Sequence, residues 1–219
     1  ELVEAFDLSR VVKSAAVFDM DKLKWVNSQH LKALPEQDLV KLVTAFLTAP
    51  PEGHGEPMFS GDAAGVSTFV TQGVKIAKKD LEVVNDAKPL IEKCLSYDLR
   101  RLLEGADEEA TRISSEPGFG AIVKRVVADY KAGTLPTGME DDFEAAFKGY
   151  VKALGKDLGL KGKGLFHPTR LALTGRTSGP DIGDQLKLLA LAEGVLPSET
   201  FVSLEDRVAV LESVDNDSL

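Results

Sequence analysis

Apolar residues recur along this chain at the three- and four-residue spacing of an amphipathic helix, and no long segment alternates as a half-buried strand does. The clearest run contains Ile122, Val123, Val126 and Val127, and it ends before Gly133, where a helix would stop. Similar runs predict further helices at about residues 20–34, 35–47, 62–79, 83–95, 139–158, 182–193 and 200–213. The chain is therefore predicted to have an all-α fold.

The length of 219 residues allows one large domain or two small ones. An acidic segment around residues 104–109 is the predicted boundary between two consecutive helical bundles. We predict a short N-terminal segment over residues 1–34, a first bundle over 35–106 and a second over 107–219. The sequence begins at Glu1, without Met and inside an amphipathic pattern, so we expect further residues upstream.

The charge balance and the distribution of apolar residues argue against several classes of protein. The chain has 26 Lys and Arg against 35 Asp and Glu, a formal net charge of -9, which disfavours a general nucleic-acid binder. No run reaches the roughly 18 apolar residues of a membrane span, and no signal or transit peptide is visible. We therefore expect neither DNA nor a membrane as a partner.

Residue types that carry catalysis or bind metals are present but not in the required spacing. His30, His54 and His167 lie far apart in sequence and do not have the spacing of a zinc site. The lone Cys94 lies on an apolar helical face and is interpreted as a buried, inert thiol rather than a nucleophile. The sequence predicts no catalytic residue, no metal ligand and no cofactor site in this chain.

One segment reverses the overall negative charge. No Asp or Glu occurs from residue 158 to residue 180, whereas Lys161, Lys163, Arg170 and Arg176 all do. Cations attract phosphate, and sequence-specific RNA recognition mostly targets unpaired bases in loops. The functional interpretation is a turn that reads a splayed nucleotide with the hydroxyls of residues 174, 177 and 178. The structural interpretation is a helix that ends at Gly175, and the two are compatible because a helix end can present a site.

A second segment without acidic residues covers residues 22–35. Lys22, Lys24, Trp25 and Asn27 lie on one predicted helix, which Asp19 or Asp21 would cap. The functional interpretation is a helix face that meets an RNA backbone with lysines and offers amide groups to it. The structural interpretation, which spacing alone favours, is that Trp25 belongs to the core and the lysines form a solvated face.

Residues 4–11 (EAFDLSRV) and 16–27 (AVFDMDKLKWVN) resemble the segment that follows the catalytic core in a known family, the bacterial-type glutamyl-tRNA synthetases of class I. Residues 167–181 (HPTRLALTGRTSGPD) resemble its Arg-x-x-Leu-Thr-Gly…Gly-Pro segment near the C-terminus. Residues 83–87 (VVNDA) and 95–99 (LSYDL) are similar to organellar and cyanobacterial members above all.

The resemblance implies an all-helical anticodon-binding region, preceded over residues 1–34 by the tail of the stem-contact region. The parent enzyme would be a ligase of protein biosynthesis that attaches glutamate to tRNA with ATP and Mg²⁺. The family's ATP-binding motifs have no counterpart here, so this chain alone would be inactive. It would act as a monomer in the bacterial cytoplasm, or in the chloroplast or mitochondrial matrix for an organellar member.

The resemblance also implies which residues contact tRNA. Arg170 matches the Arg before the family's Leu-Thr-Gly, and Gly179, Pro180 and Ile182 match the turn that packs on the first anticodon base. The intervening predicted contacts are Thr174, Gly175, Arg176, Thr177 and Ser178. The predicted stem contacts are Lys22, Lys24, Trp25 and Asn27.

A departure from the family concerns the third anticodon base, which strictly discriminating members read with an Arg. This chain has Lys75, Lys78 and Lys79 in that region and no Arg, and these three lysines are the predicted anticodon contacts there. Because Lys is a point charge without the bidentate fork of Arg, we expect relaxed discrimination, with tRNA-Glu and tRNA-Gln both as partners. The alternative function is an acidic helical protein–protein interaction module without tRNA affinity, and the net charge of -9 favours this alternative.

Overall fold

The computed structural model describes residue 4 and residues 6–10, 17–59 and 65–217. Eleven α-helices lie wholly within these residues, which contain no strand, so the predicted all-α fold is confirmed. They are α1 (Met20–Ala33), α2 (Glu36–Thr48), α3 (Val66–Ala77), α4 (Ala87–Leu95), α5 (Leu99–Arg101), α6 (Glu108–Ser114), α7 (Pro117–Lys131), α8 (Phe143–Leu158), α9 (Lys163–Thr174), α10 (Ile182–Ala192) and α11 (Leu204–Asp217). Short 3₁₀ turns cover Leu8–Arg10, Val84–Asp86 and Ser198–Thr200, and a π turn covers Leu102–Ala106.

Aspartates begin several of the helices because their carboxylates accept hydrogen bonds from otherwise unpaired backbone N–H groups. Asp19, rather than Asp21, caps α1 by accepting from the N–H of Lys22 at 3.0 Å. Asp142 caps α8, so the predicted helix over 139–158 begins later than expected, at Phe143. The last helix was also predicted with the wrong start, since a 3₁₀ turn over Ser198–Thr200 precedes α11 at Leu204. The predicted helix over 62–79 is confirmed over Val66–Ala77, and its first residues, 62–64, lie outside the described residues.

The apolar core is continuous from the first half of the chain to the second. In the first half, α3 packs on α2 and α4, and both α3 and α4 also contact α10 from the second half. In the second half, α7 packs on α9 and α11. The predicted boundary at residues 106–107 follows an irregular π turn in which Gly105 has a φ of +96°, and the division into two bundles stays a prediction.

The N-terminal helix α1 stands at the edge of this core. Only Ser28 and Leu31 of this helix are buried. Leu23 and Val26 recur with Leu31 at helical spacing, yet they are 50% and 36% exposed. No described helix is long and apolar enough to cross a membrane.

Candidate nucleic-acid interface

A groove of about 730 Å³ lies between helices α8, α9 and α10 and is lined by both apolar and charged side chains. Its floor includes Phe143, Phe147, Val151, Leu165 and Ile182. Six lysines stand around it: Lys75, Lys148, Lys152, Lys156, Lys161 and Lys187. We call this site the lysine groove. Three carboxylates, those of Glu144, Asp181 and Asp184, also line the groove, so its lysines outnumber its acids by six to three. An apolar floor with a mainly cationic rim suits a ligand that has flat apolar parts and negative charge.

Three of these lysines form a ridge along α8, namely Lys148, Lys152 and Lys156, which we call the lysine ridge. Their four-residue spacing places them on one side of the helix, one turn apart. None of the three has a carboxylate within 4.0 Å in the described part of the chain. Like charges at this spacing repel by about 0.2–0.5 kcal/mol per pair, and a bound anion would relieve that repulsion.

Aromatic rings line the same groove. Phe143 and Phe147 stack with centroids 5.7 Å apart, and both belong to the floor. Phe166 stands at the edge with 53% of its surface exposed. Phe143 and Phe147 are only 3% and 7% exposed, so the open aromatic face is that of Phe166. Nucleic-acid bases stack on open aromatic faces for about 1–3 kcal/mol per base. The groove therefore offers a stacking surface at its edge, on the ring of Phe166.

The opposite end of the groove carries an ion pair between the two halves of the chain. The Lys75 ammonium on α3 donates to Oδ1 of Asp184 on α10 at 2.6 Å. Gln72 donates to the same Oδ1 at 3.1 Å, and the Asp184 hydrogen bond raises the pKa of Lys75. Lys75, predicted to read the third anticodon base, is thus already engaged by a carboxylate. Of the other two predicted lysines, Lys78 donates to a backbone carbonyl at 3.4 Å and Lys79 is exposed.

The turn after α9 begins as predicted, with Gly175 as the helix C-cap in the left-handed region at a φ of +61°. Arg170 does not point freely to solvent, because it is half-buried and donates from Nη1 to the Pro180 carbonyl at 2.6 Å. Burial lowers the pKa of Arg170. Arg176 donates to Ser96 Oγ at 2.8 Å. Neither guanidinium pairs with a carboxylate among the described residues.

Burial separates the predicted contacts of this turn into two groups. Thr174 is 1% exposed and its hydroxyl donates to the carbonyl of Arg170 at 2.8 Å, so this hydroxyl is already engaged within the protein, and its contact with a nucleotide stays a prediction. Gly175 is also buried, and Ile182 contributes to the groove floor although it is 5% exposed. The positions open to a ligand are Ser178 and Gly179, which are exposed, with the half-buried Thr177 and Pro180 beside them.

The predicted stem-contact residues on α1 are mostly accessible. Lys22 and Lys24 are exposed, and Trp25 is 61% exposed, so the interpretation of Trp25 as a core residue is wrong. Asn27 is half-buried and donates from Nδ2 to the carbonyl of Glu82 at 2.5 Å, which ties α1 to the loop before α4. Contact of this face with RNA stays a prediction.

The lysine ridge was missed from sequence although the spacing was visible. Lys148, Lys152 and Lys156 recur every four residues between the apolar positions of the same helix. Residues 145–156 contain these three lysines and no Asp or Glu, although Glu144 and Asp157 border the segment. The four-residue spacing of the lysines on one predicted helix is the signal that indicates the ridge.

Neither metal chemistry nor thiol chemistry adds to this site. Among the described residues, no three His, Cys, Asp or Glu side chains come together in a way that could hold a metal ion. Cys94 is 4% exposed and burial raises the pKa of its thiol, as the interpretation of an inert thiol requires.

Comparisons with known proteins agree with the all-α fold and indicate a family. The family model described as "Anticodon binding domain" matches residues 37–193. A glutamate--tRNA ligase of Exiguobacterium sibiricum is 32% identical over 189 residues, which cover 86% of this chain and 36% of that protein. One from Carboxydothermus hydrogenoformans is 31% identical over 194 residues, covering 88% and 37%.

A solved structure has a similar fold. The crystal structure of a glutamate tRNA ligase from Elizabethkingia meningosepticum in complex with its amino acid gives a TM-score of 0.62. The two sequences are 19% identical, and the match covers 96% of this chain and 35% of the ligase chain. At this identity the similarity shows the fold alone. The present chain spans about a third of the length of the curated relatives it matches.

Proposed function

The chain belongs to the anticodon-binding domain family, and from that premise we propose that it binds the anticodon loop of tRNA along the lysine groove. The observation that carries the proposal is the lysine ridge on α8, which has no carboxylate partners in the described structure and stands beside an aromatic floor. Lysines would neutralise phosphates of the loop, and an unstacked base would lie on the exposed ring of Phe166. The exposed Ser178 and Gly179 of the neighbouring turn would contact a base edge.

We further propose that the chain is part of a glutamate–tRNA ligase, because relatives of that name match most of its length. Such an enzyme joins glutamate to tRNA with ATP and Mg²⁺, and those steps would occur in residues outside this chain. The chain alone should then transfer no glutamate to tRNA-Glu, whereas the full-length enzyme should. The whole enzyme would be a monomer in a bacterial cytoplasm or an organellar matrix.

The choice of tRNA follows from the lysines at the end of α3. Lys75 pairs with Asp184, and a lysine cannot form the bidentate hydrogen bonds with a base that an Arg forms. Lys78 and Lys79 are point charges as well. We therefore propose that the parent enzyme accepts both tRNA-Glu and tRNA-Gln. Aminoacylation of both transcripts by the full-length enzyme tests this, and an absence of glutamylated tRNA-Gln would reject it.

RNA binding itself can be tested on the 219-residue chain with a fluorescently labelled anticodon stem-loop. Lys152→Glu reverses the charge at the centre of the lysine ridge, and Lys41→Glu makes the same charge change on α2, where Lys41 pairs with Asp38 at 3.2 Å. We expect Lys152→Glu to weaken binding strongly and Lys41→Glu to leave it nearly unchanged. Equal effects of the two variants, or no binding by the wild-type chain, would contradict the proposal. No comparison supports the alternative of an interaction module without tRNA affinity.

A further inference from the structure

A fully buried guanidinium lies behind the turn that ends α9. Arg207 on α11 is 1% exposed, and no carboxylate of the described chain pairs with it. Its donors go to backbone carbonyls instead: Nε to Val202 at 3.0 Å, Nη1 to Leu173 at 3.1 Å, and Nη2 to Cys94 and Leu95, both at 3.1 Å. Burying a cation without a carboxylate is costly, and apolar side chains of similar volume are often at least as stable. The arrangement therefore points to a requirement for fixed geometry.

Three of the carbonyls that accept hydrogen bonds from this guanidinium belong to two helix ends, and that of Val202 precedes α11. Cys94 and Leu95 end α4 in the first half of the chain, and Leu173 lies in the last turn of α9 in the second half. The last carbonyls of a helix have no intrahelical partner and carry partial negative charge, which favours a cation. Arg207 thus joins α4, α9 and α11 through one planar group whose five donors have a fixed geometry.

Tyr97 fixes the position of the turn relative to the same group. Its hydroxyl donates to the carbonyl of Ala172 at 2.5 Å, and its ring centroid lies 5.2 Å from the Arg207 guanidinium carbon. Gly175 rests against this ring so closely that a Cβ there would be 2.9 Å from Tyr97 Cδ2. The first residue of the turn is consequently held against Tyr97.

Hydrogen bonds hold the remainder of the turn at both of its ends. Arg176 donates to the carbonyl of Lys93 and to Ser96 Oγ, next to the α4 carbonyls that Arg207 occupies. Arg170 and Gln185 both donate to the carbonyl of Pro180, at 2.6 and 2.9 Å. A shift of the α4 end relative to α9 would therefore move the exposed residues between these two ties.

We infer that Arg207 is the positioning residue that fixes the turn of residues 175–182 relative to α4, and with it the surface that this turn presents to RNA. The part of this inference that concerns RNA rests on the proposed function. The positional part rests only on the contacts of Arg207, Tyr97 and Arg176.

Hydrogen exchange of the 219-residue chain tests the positional part without any RNA. Arg207→Met removes all five donors, and Arg207→Lys keeps the charge but cannot reach all of these carbonyls at once. We expect faster amide exchange in residues 175–182 for both variants, with a smaller change for Arg207→Lys and none in α2. The control Arg125→Met removes a guanidinium of α7 that pairs with the buried Asp129 and the exposed Asp157. Unchanged exchange of the turn in the Arg207 variants, or the same acceleration in the control, would overturn the inference.

Specificity for the anticodon tests the part that concerns RNA. Each variant is titrated with the anticodon stem-loop and with a stem-loop in which one anticodon base is replaced, at a temperature at which circular dichroism shows the variant folded. We expect Arg207→Lys to lower the ratio of the two affinities, by about tenfold, because small misplacements of binding groups are expensive. Arg125→Met should leave the ratio unchanged. A constant ratio in Arg207→Lys would refute this role, whereas wild-type protein that binds neither RNA would refute only the proposed function, since the exchange result stands by itself.

Discussion

Removal of the lysine ridge should change the salt dependence of RNA binding by an amount that the structure fixes. The triple variant K148Q/K152Q/K156Q removes three ammonium groups that have no carboxylate partner in the described structure. Each phosphate that a lysine neutralises on single-stranded nucleic acid contributes about 0.7 to the slope of log K against log salt concentration. Three contacts therefore account for about 2 in that slope.

The assay is fluorescence anisotropy of a labelled anticodon stem-loop, titrated with the 219-residue chain at several salt concentrations. A matched control is K41Q/K88Q/K131Q, which also removes three positive charges. Each of these lysines pairs with a carboxylate of the protein, namely Asp38, Glu92 and Glu212. The control should lose little of the slope, because lysines that are already paired release few counterions from the RNA.

Two results would refute the reasoning. If the ridge variant kept the wild-type slope and lost only affinity, its lysines would act through the shape of the groove rather than through phosphate contacts. If both triple variants lost the same slope, the effect would come from net charge and not from the position of the ridge. Circular dichroism of all three proteins before titration shows whether folding is preserved.

Three further predictions concern single positions. Gly159→Ala should cost about 1 kcal/mol and Gly175→Ala at least about twice that in urea unfolding, because both glycines have a φ near +60° but only the second is packed against an aromatic ring. Equal costs would contradict the packing argument. Asp184→Asn should lower the pKa of the Lys75 ammonium in an NMR titration, because the carboxylate raises it. The raised pKa of Lys75 stabilises the fold at neutral pH, and this contribution is lost as pH rises through the pKa of Lys75 in the folded protein. An unchanged Lys75 pKa would show that the ion pair does not form in solution. Cys94 should resist alkylation in the folded protein and react after denaturation, because burial raises its pKa, and rapid modification of native protein would contradict its burial.

Local features of this fold could be predicted from the sequence because their causes are local. The apolar period indicated nearly every long helix, and Gly175 was recognised as a helix end because glycine tolerates the left-handed conformation found there. Cys94 was placed correctly in the core from its apolar neighbours one turn away. Errors arose at helix starts, as at Phe143, where any of three consecutive acidic residues could have been the cap.

Contacts between distant parts of the chain could not be predicted in the same way. Lys75 and Asp184 are 109 residues apart, and nothing in either segment indicates that one engages the other. Arg207 has the sequence context of a charged residue on a helix surface, yet the packing of α4 and α9 encloses it. Arg170 was predicted as a site residue from its segment, but only the fold shows that its guanidinium holds Pro180. Tertiary packing decides which cations face the solvent.

The acidic character of the chain is consistent with one confined basic groove. At about 0.1 M salt the Debye length is about 10 Å, so charges elsewhere on the surface do not cancel the field of the lysine ridge. They do repel phosphate wherever RNA approaches another face, which disfavours docking in the wrong orientation. A net charge of -9 thus lowers general affinity for nucleic acid while leaving the groove attractive. Selectivity for one loop of a folded RNA gains from both effects, because the competing sites are other stretches of the same polyanion.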